Sequence, residues 1–431
     1  MGIDVRSDVM AWFSAVRAQS QMDVRRTALT SLPGWRSDPH TGDLRHDSGR
    51  FFAVSGLAVY EPGAGPAQFE QPVLVQPETG ILGLLSRGTG AGREFLLQAK
   101  AEPGNRHGLE LAPTVQATRS NYLRAHHGRK VLFAELFRGA RQPRLVDVAQ
   151  SEHGSWFWRK RNRNMIVENV GEIDAPGTYR WFSLAQIHRL MQLNDVVNMS
   201  ARSVLSCLPP ARPAPRATHP GSELRAWLTD VRRGCPLSAT AVPLRALTGW
   251  RHDSHRIHRP GDPLFEIIGV EVRAVGREID RWAQPILRPV ATGLAAFLAV
   301  RRYGVLNLLV HARFEAGLPG RVELAPTVQC VPERAATLHA ARRPPHLDAV
   351  LAAGPRRRLV EVTLSEEGGR LYHARNRYLV VEVDTAVPET EHYRWMTPHQ
   401  LLHLVRLGGC VNVQARTLMA CLRACPDAGI D

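Results

Sequence analysis

The chain has 431 residues, 44% of them hydrophobic and 22% charged, with a formal net charge of +15. That length holds two or three domains, each with its own core, and the composition is that of a folded protein without the run of about 20 apolar residues that a membrane helix needs. Among the 55 basic residues only Lys100, Lys130 and Lys160 are lysines, and no zinc-finger, RNA-binding aromatic or basic-heptad pattern accompanies the arginines, so the charge fits a pocket for an anionic small molecule better than a surface for nucleic acid.

The N-terminus, MGIDVRSDVMAW, lacks a basic segment followed by an apolar core, so no secretory leader is expected and a cytoplasmic location is. AWFSAVRAQ (11–19) reads as an amphipathic opening helix. FFAVSGLAVY (51–60), PVLVQPETGILGLLS (72–86) and EFLLQAKAE (94–102) are β-branched and apolar clusters divided by Gly and Pro, and predict strands, as do LVDVAQSE (145–152) and NMIVENV (164–170). Ser183 is placed to cap a helix with Leu184, Ile187, Leu190 and Met191 on its apolar face, and Ser200 to cap another ending near Leu208. Residues 209–221 hold five prolines and predict a linker. Strands with helices at both ends predict an α+β fold around mixed sheets.

The second half repeats the first. SDVMAWF (7–13) answers SELRAWL (222–228), Trp35-Arg36 answers Trp250-Arg251, and Arg161-Asn162-Arg163 answers Arg375-Asn376-Arg377. ELAPTVQ occurs twice without change, at 110–116 and 323–329. The offset stays between 213 and 215 positions (326 − 113 = 213; 227 − 12 = 215), which means one fold written twice with small loop changes. The domains are therefore 1–208 and 222–431. The six cysteines form no CxxC pair and no metal-spaced His/Cys set, and Cys207 and Cys421 fall in matching apolar runs, so they read as buried apolar groups with no metal.

Positions kept in both halves serve the fold or a shared ligand element; positions that differ can serve a task only one half performs. Trp35 and Trp250 are kept, and a flat indole can stack on a base or fill a core. Asn162 and Asn376 are kept between arginines whose planar forks suit diphosphate oxygens. After ELAPTVQ the halves part. The first continues through Thr118, Arg119, Ser120, Asn121 and Tyr122, dense in donors and acceptors; the second continues through Val331, Pro332, Glu333 and Arg334. SEHGSWFWRKRNRNM (151–165) is likewise richer than SEEGGRLYHARNRYL (365–379), with Arg370 and His373 where the first half has Trp156 and Arg159. These differences place the working site in the N-terminal half and a vestigial or binding-only copy in the other.

With WRSDPHTGDLRHDSGRFF (35–52), QPETGILG (76–83), QAKAEPGNRHGLELAPTVQATRSNY (98–122) and VNMSARSVLSCLP (197–209), these motifs make the chain resemble the NDP-hexose 2,3-dehydratases of deoxysugar biosynthesis, over nearly its whole length. The resemblance implies two tandem Nudix-like domains, a homodimer, a dTDP-4-keto-6-deoxyhexose substrate, no cofactor, and a product consumed by a 3-ketoreductase. It implies two nucleotide-sugar pockets, one of them catalytic. The clustered carboxylates that hold metal in a Nudix hydrolase are missing, which counts against pyrophosphate cleavage. That hydrolase and a non-catalytic nucleotide-sugar binder are the alternative readings.

Elimination next to a ketone needs a general base, a general acid and donors to the enolate oxygen. Glu102, His107, Tyr122, His126, Glu152 and His153 are the candidates in the first half. Glu102 and Glu152 have counterparts in Glu315 and Glu366, whereas Tyr122 and His153 do not, so the catalytic set is Tyr122, His153 and Glu102. Arg119, Arg161 and Arg163 are assigned to the diphosphate. Thr118, Ser120 and Asn121 are assigned to sugar or phosphate, with Trp35, Gln116, Ser151 and Asn162 completing the substrate-binding set. Trp250, Arg334, Ser365, Asn376 and Arg377 form the corresponding second pocket.

Overall fold

The computed structural model describes residues 5–19, 21–61, 63, 67–123, 129–139, 142–169, 171–261, 264–275, 279–339 and 343–431. Each repeat opens with a helix, Val5–Gln19 or Gly221–Gly234, and then builds a five-stranded and a seven-stranded sheet. The larger sheet is mixed. In the first repeat Arg161–Glu168 runs parallel to Gly80–Arg87, and in the second Arg375–Glu382 runs parallel to Gly293–Arg302; the other pairings are antiparallel. The expected α+β class with mixed sheets is what these elements make, and the predicted strands and the Ser183-capped helix, Leu184–Met191, are present.

The smaller sheets hold what the sequence did not announce. Met22–Thr27 leaves its own repeat and pairs with Phe265–Ala274 of the other, Met22 opposite Ala274 and Thr27 opposite Gly269. Ser238–Val242 makes the return exchange onto Ala53–Tyr60, Ser238 opposite Tyr60 and Val242 opposite Gly56. Gly56 and Gly269 occupy the same place in the two repeats. A Cβ on either would lie 2.8 Å from a carbonyl oxygen of the incoming strand, Val242 or Thr27. The tandem units are thus interlocked rather than side by side.

The identical ELAPTVQ segments carry chemistry at several letters. The chain runs antiparallel to Glu94–Ala101 through Pro113, then crosses to pair with Gly80–Arg87 from Val115. At the crossing, Thr114 Oγ1 accepts the Leu85 N–H at 2.9 Å and donates to the Leu96 carbonyl, filling the gap between two strands; Thr327 does the same with Leu298 and Leu309. Glu110 accepts the Ser365 hydroxyl at 2.6 Å and Glu323 accepts that of Ser151 at 2.6 Å, so each motif is bonded to the opposite repeat. Gln116 donates to Glu102 and accepts from Asn198, and Gln329 joins Glu315 and Asn412 in the same way.

Two helices, Met199–Leu205 and Val413–Arg423, are buried along their whole length where the repeats meet. Their caps are Asn198 and Asn412, each accepting the N–H three residues on; Ser200, expected as a cap, lies inside its helix because the asparagine two residues earlier takes that role. Each helix buries an arginine in its first turn, and the second also buries Arg423 at its end. Arg202 donates to Val197 and, across the seam, to the Ser365 carbonyl at 2.5 Å; Arg416 donates to Val411 and to the Ser151 carbonyl at 2.7 Å. Carbonyls that would otherwise be stranded are satisfied, and the planar fork locks the two halves together.

His153 lies in the same seam. Its Nε2 meets Glu366 Oε2 at 2.7 Å, Trp156 stacks on its ring, and Glu366 also accepts from Asn376 and Tyr378. Burial works against the imidazolium, but the hydrogen bond and charge of Glu366, with Glu152 and Glu315 behind, hold the His153 pKa above 6.5. Burial would raise Glu366; the bond and charge of His153 outweigh it and hold the carboxyl below 4.5.

Two stability outcomes follow from this packing. Gly56→Ala and Gly269→Ala will each cost about 1–3 kcal/mol in urea unfolding, the usual cost of forcing an atom into a filled site, whereas Gly177→Ala, where the added atom meets nothing within 4 Å, will be near neutral. His153→Gln leaves a buried carboxylate without its cation, a loss of about 3–5 kcal/mol. The raised histidine contributes fully below pH 6.5 and loses its contribution as pH climbs through its folded value; the depressed Glu366 contributes fully above pH 4.5 and loses it on acidification. The gap between wild type and His153→Gln in urea titrations will therefore be widest between those two pH values, and a gap that ignores pH would refute the ion pair.

Candidate active site

A cavity of about 230 Å³ opens in the N-terminal repeat. Its aromatic wall is Trp35, Phe51, Phe52 and Trp282, with His46 beside them. The Trp35 ring lies 4.8 Å from Phe52, and its N–H donates to the Ala283 carbonyl at 2.8 Å, so the indole is fixed by a residue of the other repeat. The floor is the sheet itself, through Gly80, Leu82, Gln116 and Ala117. Glycine is required at 80, because the Asn162 amide oxygen accepts its N–H at 3.0 Å and would sit 2.7 Å from any Cβ.

The polar corner gathers Glu102, Glu152, Lys160, Glu367 and Arg370. Glu102 is held by the Gln116 amide at 2.9 Å, and Glu152 by the Asn162 amide at 2.5 Å. Lys160 donates to the Glu78 carbonyl. Burial pulls its ammonium down from 10.5 to about 8, and Glu152 counteracts only part of that. Burial, and then the charge of Glu102, push the Glu367 carboxyl upward. Acids and bases of comparable proton affinity thus face one cavity, an arrangement suited to moving protons on and off carbon and oxygen.

The sequence-derived residues divide. Trp35, Glu102, Gln116, Thr118, Asn121 and Asn162 line the cavity. Ser120 stands just behind it, bonded through N–H and hydroxyl to Glu78. Tyr122 packs into the core beneath, with Arg138 above its ring, and His153 is enclosed in the seam; neither forms part of the cavity wall. Arg119 and Arg161 are exposed, and Arg163 is clamped by Asp147 on the outer face of the sheet. Strand alternation explains the Arg-Asn-Arg motif: asparagine points in and the arginines point out. Ser151 is spent on Glu323. His107 lies beside Asp195 near the surface, and His126 falls outside the described residues.

In the second repeat Trp250 donates to the Glu70 carbonyl, mirroring Trp35. Asn376 holds Glu366, Ser365 holds Glu110, Arg377 pairs with Glu361, and Arg334 lies half-buried on the short helix Pro332–Thr337. Arg313 and Ala374 stand where the first repeat has Lys100 and Lys160.

Sequence reasoning passed over Lys100, Lys160, Glu367, Arg370, Trp282 and Gln284, all on the cavity wall. A signal existed for the first two. In a chain that writes almost every cation as arginine, two of the three lysines sit in this one site.

The NDP-hexose 2,3-dehydratase family model matches residues 6–208 and again 221–422. A protein of Streptomyces violaceoruber named dTDP-4-dehydro-6-deoxy-alpha-D-glucopyranose 2,3-dehydratase is 44% identical over 435 residues, covering 97% of both chains. Proteins of the same name from Amycolatopsis orientalis and Saccharopolyspora spinosa are 43% and 39% identical, covering 98% of this chain and 91% and 92% of theirs. Twice matched by the family model and aligned with these relatives almost end to end, the chain belongs to the NDP-hexose 2,3-dehydratase family.

Proposed function

We propose that the chain is a hydro-lyase that takes dTDP-4-keto-6-deoxyglucose and removes the C2 hydroxyl as water, giving a 3,4-diketo-2,6-dideoxy sugar. The observation that carries this reading is the likeness to three dehydratases over nearly the full length of each. The cavity supplies what the reaction needs.

The C4 ketone acidifies the C3 hydrogen. Glu102, held by Gln116, takes that proton, and the C3–H electron pair moves into the enolate. As the C2–O bond breaks, the Lys160 ammonium, poised near neutrality, gives its proton to the departing hydroxide. The product at this point is an enol with a C2–C3 double bond. Glu102 returns its proton to C2 and the C3 hydroxyl proton passes to Lys160, so the diketone forms and both groups are reset. Apart from the cleavage of the C2–O bond, every step is a proton transfer, which the side chains perform without a cofactor.

The aromatic wall receives the thymine ring, and Thr118 and Asn121 bond to sugar or phosphate. We read each repeat as Nudix-like from its helix-flanked mixed sheet, and the protein as a cytoplasmic homodimer. The short-lived diketone calls for a 3-ketoreductase that consumes it. To the second pocket, around Trp250, Arg334, Ser365, Asn376 and Arg377, we assign binding without turnover, since Ala374 replaces the proton donor there.

The test is water loss from dTDP-4-keto-6-deoxyglucose, followed through NADPH consumption by an added 3-ketoreductase. Glu102→Gln and Lys160→Met will each lower kcat by about 10²–10⁴-fold, the span of general acid–base catalysis, while dTDP binding persists. Lys160 must carry its proton to donate it, so the wild-type rate will fall as pH rises through about 8. An unchanged alkaline limb in Lys160→Met, at near-wild-type rate, would remove lysine from the mechanism; release of dTMP in place of water loss would favour a hydrolase.

A further inference from the structure

The catalytic cavity is not the property of one repeat. The loop between strands Arg358–Ser365 and Arg375–Glu382 crosses the seam and brings Glu367, Gly369 and Arg370 to the N-terminal site. It docks on the turn that follows Glu102. The Gly104 N–H donates to the Gly368 carbonyl at 2.7 Å, and the His373 N–H donates to the Gly104 carbonyl at 2.8 Å. No side chain fits there: a Cβ on Gly104 would lie 1.8 Å from the Leu371 carbonyl oxygen. Glu102 and Arg370 are therefore held in fixed relation by backbone, although they are 268 positions apart (370 − 102 = 268).

Arg370 is incompletely used in the structure. Nη1 bonds two uncharged oxygens, Gly369 O at 2.8 Å and Gln284 Oε1 at 3.4 Å, and the guanidinium lies 4.2 Å over the Phe52 ring. Its Nε is buried without a hydrogen-bond partner among the described residues. Burial works against its charge, and the carboxyls of Glu367, Glu102 and Glu78 act in its favour. A diphosphate brought to this corner would meet three carboxylates. An enolate would not face the same opposition, because it forms only as Glu102 is neutralised by the proton it accepts. The charge moves from carboxylate to C4 oxygen, and the local total stays constant.

We propose that Arg370 is a catalytic residue of the N-terminal cavity, supplied by the C-terminal repeat, and that its guanidinium holds the C4 oxygen and takes up the enolate charge. The C3–H pair becomes the C3–C4 double bond, the carbonyl pair moves onto the C4 oxygen, and the proton goes to Glu102. This rests on the dehydratase reading above and adds the electrophile to it.

The full-length chain carrying Arg370→Gln or Arg370→Lys tests it by three measurements: turnover coupled to a 3-ketoreductase, exchange of the C3 hydrogen in deuterated water, and calorimetric binding of dTDP alone. For Arg370→Gln, kcat and the exchange rate will fall together by about 10²–10³-fold, the loss expected for an oxyanion donor, with dTDP affinity held within about threefold, and Arg370→Lys will recover part of the rate. Weaker dTDP binding with kcat retained would overturn the proposal and make Arg370 a diphosphate ligand; wild-type rates and exchange in both variants would reduce it to a wall. Should Arg370→Gln fail to fold, Arg370→Lys and Gln284→Leu, which loosens the guanidinium from its anchor, decide by the same three readouts. A wild-type protein that leaves the keto-sugar intact would fail the dehydratase reading itself, a different result from a working enzyme indifferent to residue 370.

Discussion

The organisation of this protein depends on backbone touching backbone across a seam where no side chain can stand. On one side of the pseudo-twofold arrangement the Gly104 N–H donates to the Gly368 carbonyl, and on the other the Gly317 N–H donates to the Gly154 carbonyl, each at 2.7 Å, while the Leu371 and Phe157 carbonyl oxygens fill the places where a Cβ would stand. Each contact joins the turn after Glu102, which lines the cavity, or after its counterpart Glu315, to a loop of the opposite repeat. Because both partners are main chain, the geometry does not depend on rotamers. Acid–base groups from distant parts of the sequence keep their separation as rigidly as neighbours in one strand.

Around that contact the seam is polar, and its groups bond from one repeat to the other. Arg202 and Arg416 reach opposite carbonyls, Ser151 and Ser365 reach opposite carboxyls, and His153 meets Glu366. Burial pushes Glu110 up to about 8 and raises Glu323 as well, which lessens the tendency of these two carboxyls to place charge in the interior. A seam built this way specifies one register between the halves, where an oily one would permit sliding.

Much of this was legible in the sequence, and the part that was not has physical reasons. Local patterns found the strands, the Ser183 cap and the duplication, because alternation and capping depend on neighbours within a few residues. The repeated ELAPTVQ was visible, but the bridge made by Thr114 and the cross-repeat bond of Glu110 connect strands far apart in the chain. The exchanged strands, MDVRRT and SATAV, are short and half-polar, and their partners lie some two hundred residues away, beyond any local signal. Comparison of the halves position by position misled at one place. It read Arg370 as degeneration of Trp156, assuming that each loop serves only its own repeat, whereas the loop after Ser365 brings Glu367 and Arg370 to the N-terminal cavity beside Glu152 and Phe157 of the first repeat. Tyr122 and His153 drew attention because they were unmatched, yet a residue can be unique in order to pack or to pair.

The exchanged strands also bear on how such a chain is made. While the first repeat leaves the ribosome, the edge of Ala53–Tyr60 has no Ser238–Val242 to cover it, and that segment is synthesised roughly 180 residues later. At about 5–20 residues per second the uncovered edge persists for roughly 10–40 seconds. During translation on a polysome, that edge is open to the same strand of a neighbouring nascent chain, so vectorial synthesis itself sets a window for intertwined dimers and for chaperone capture.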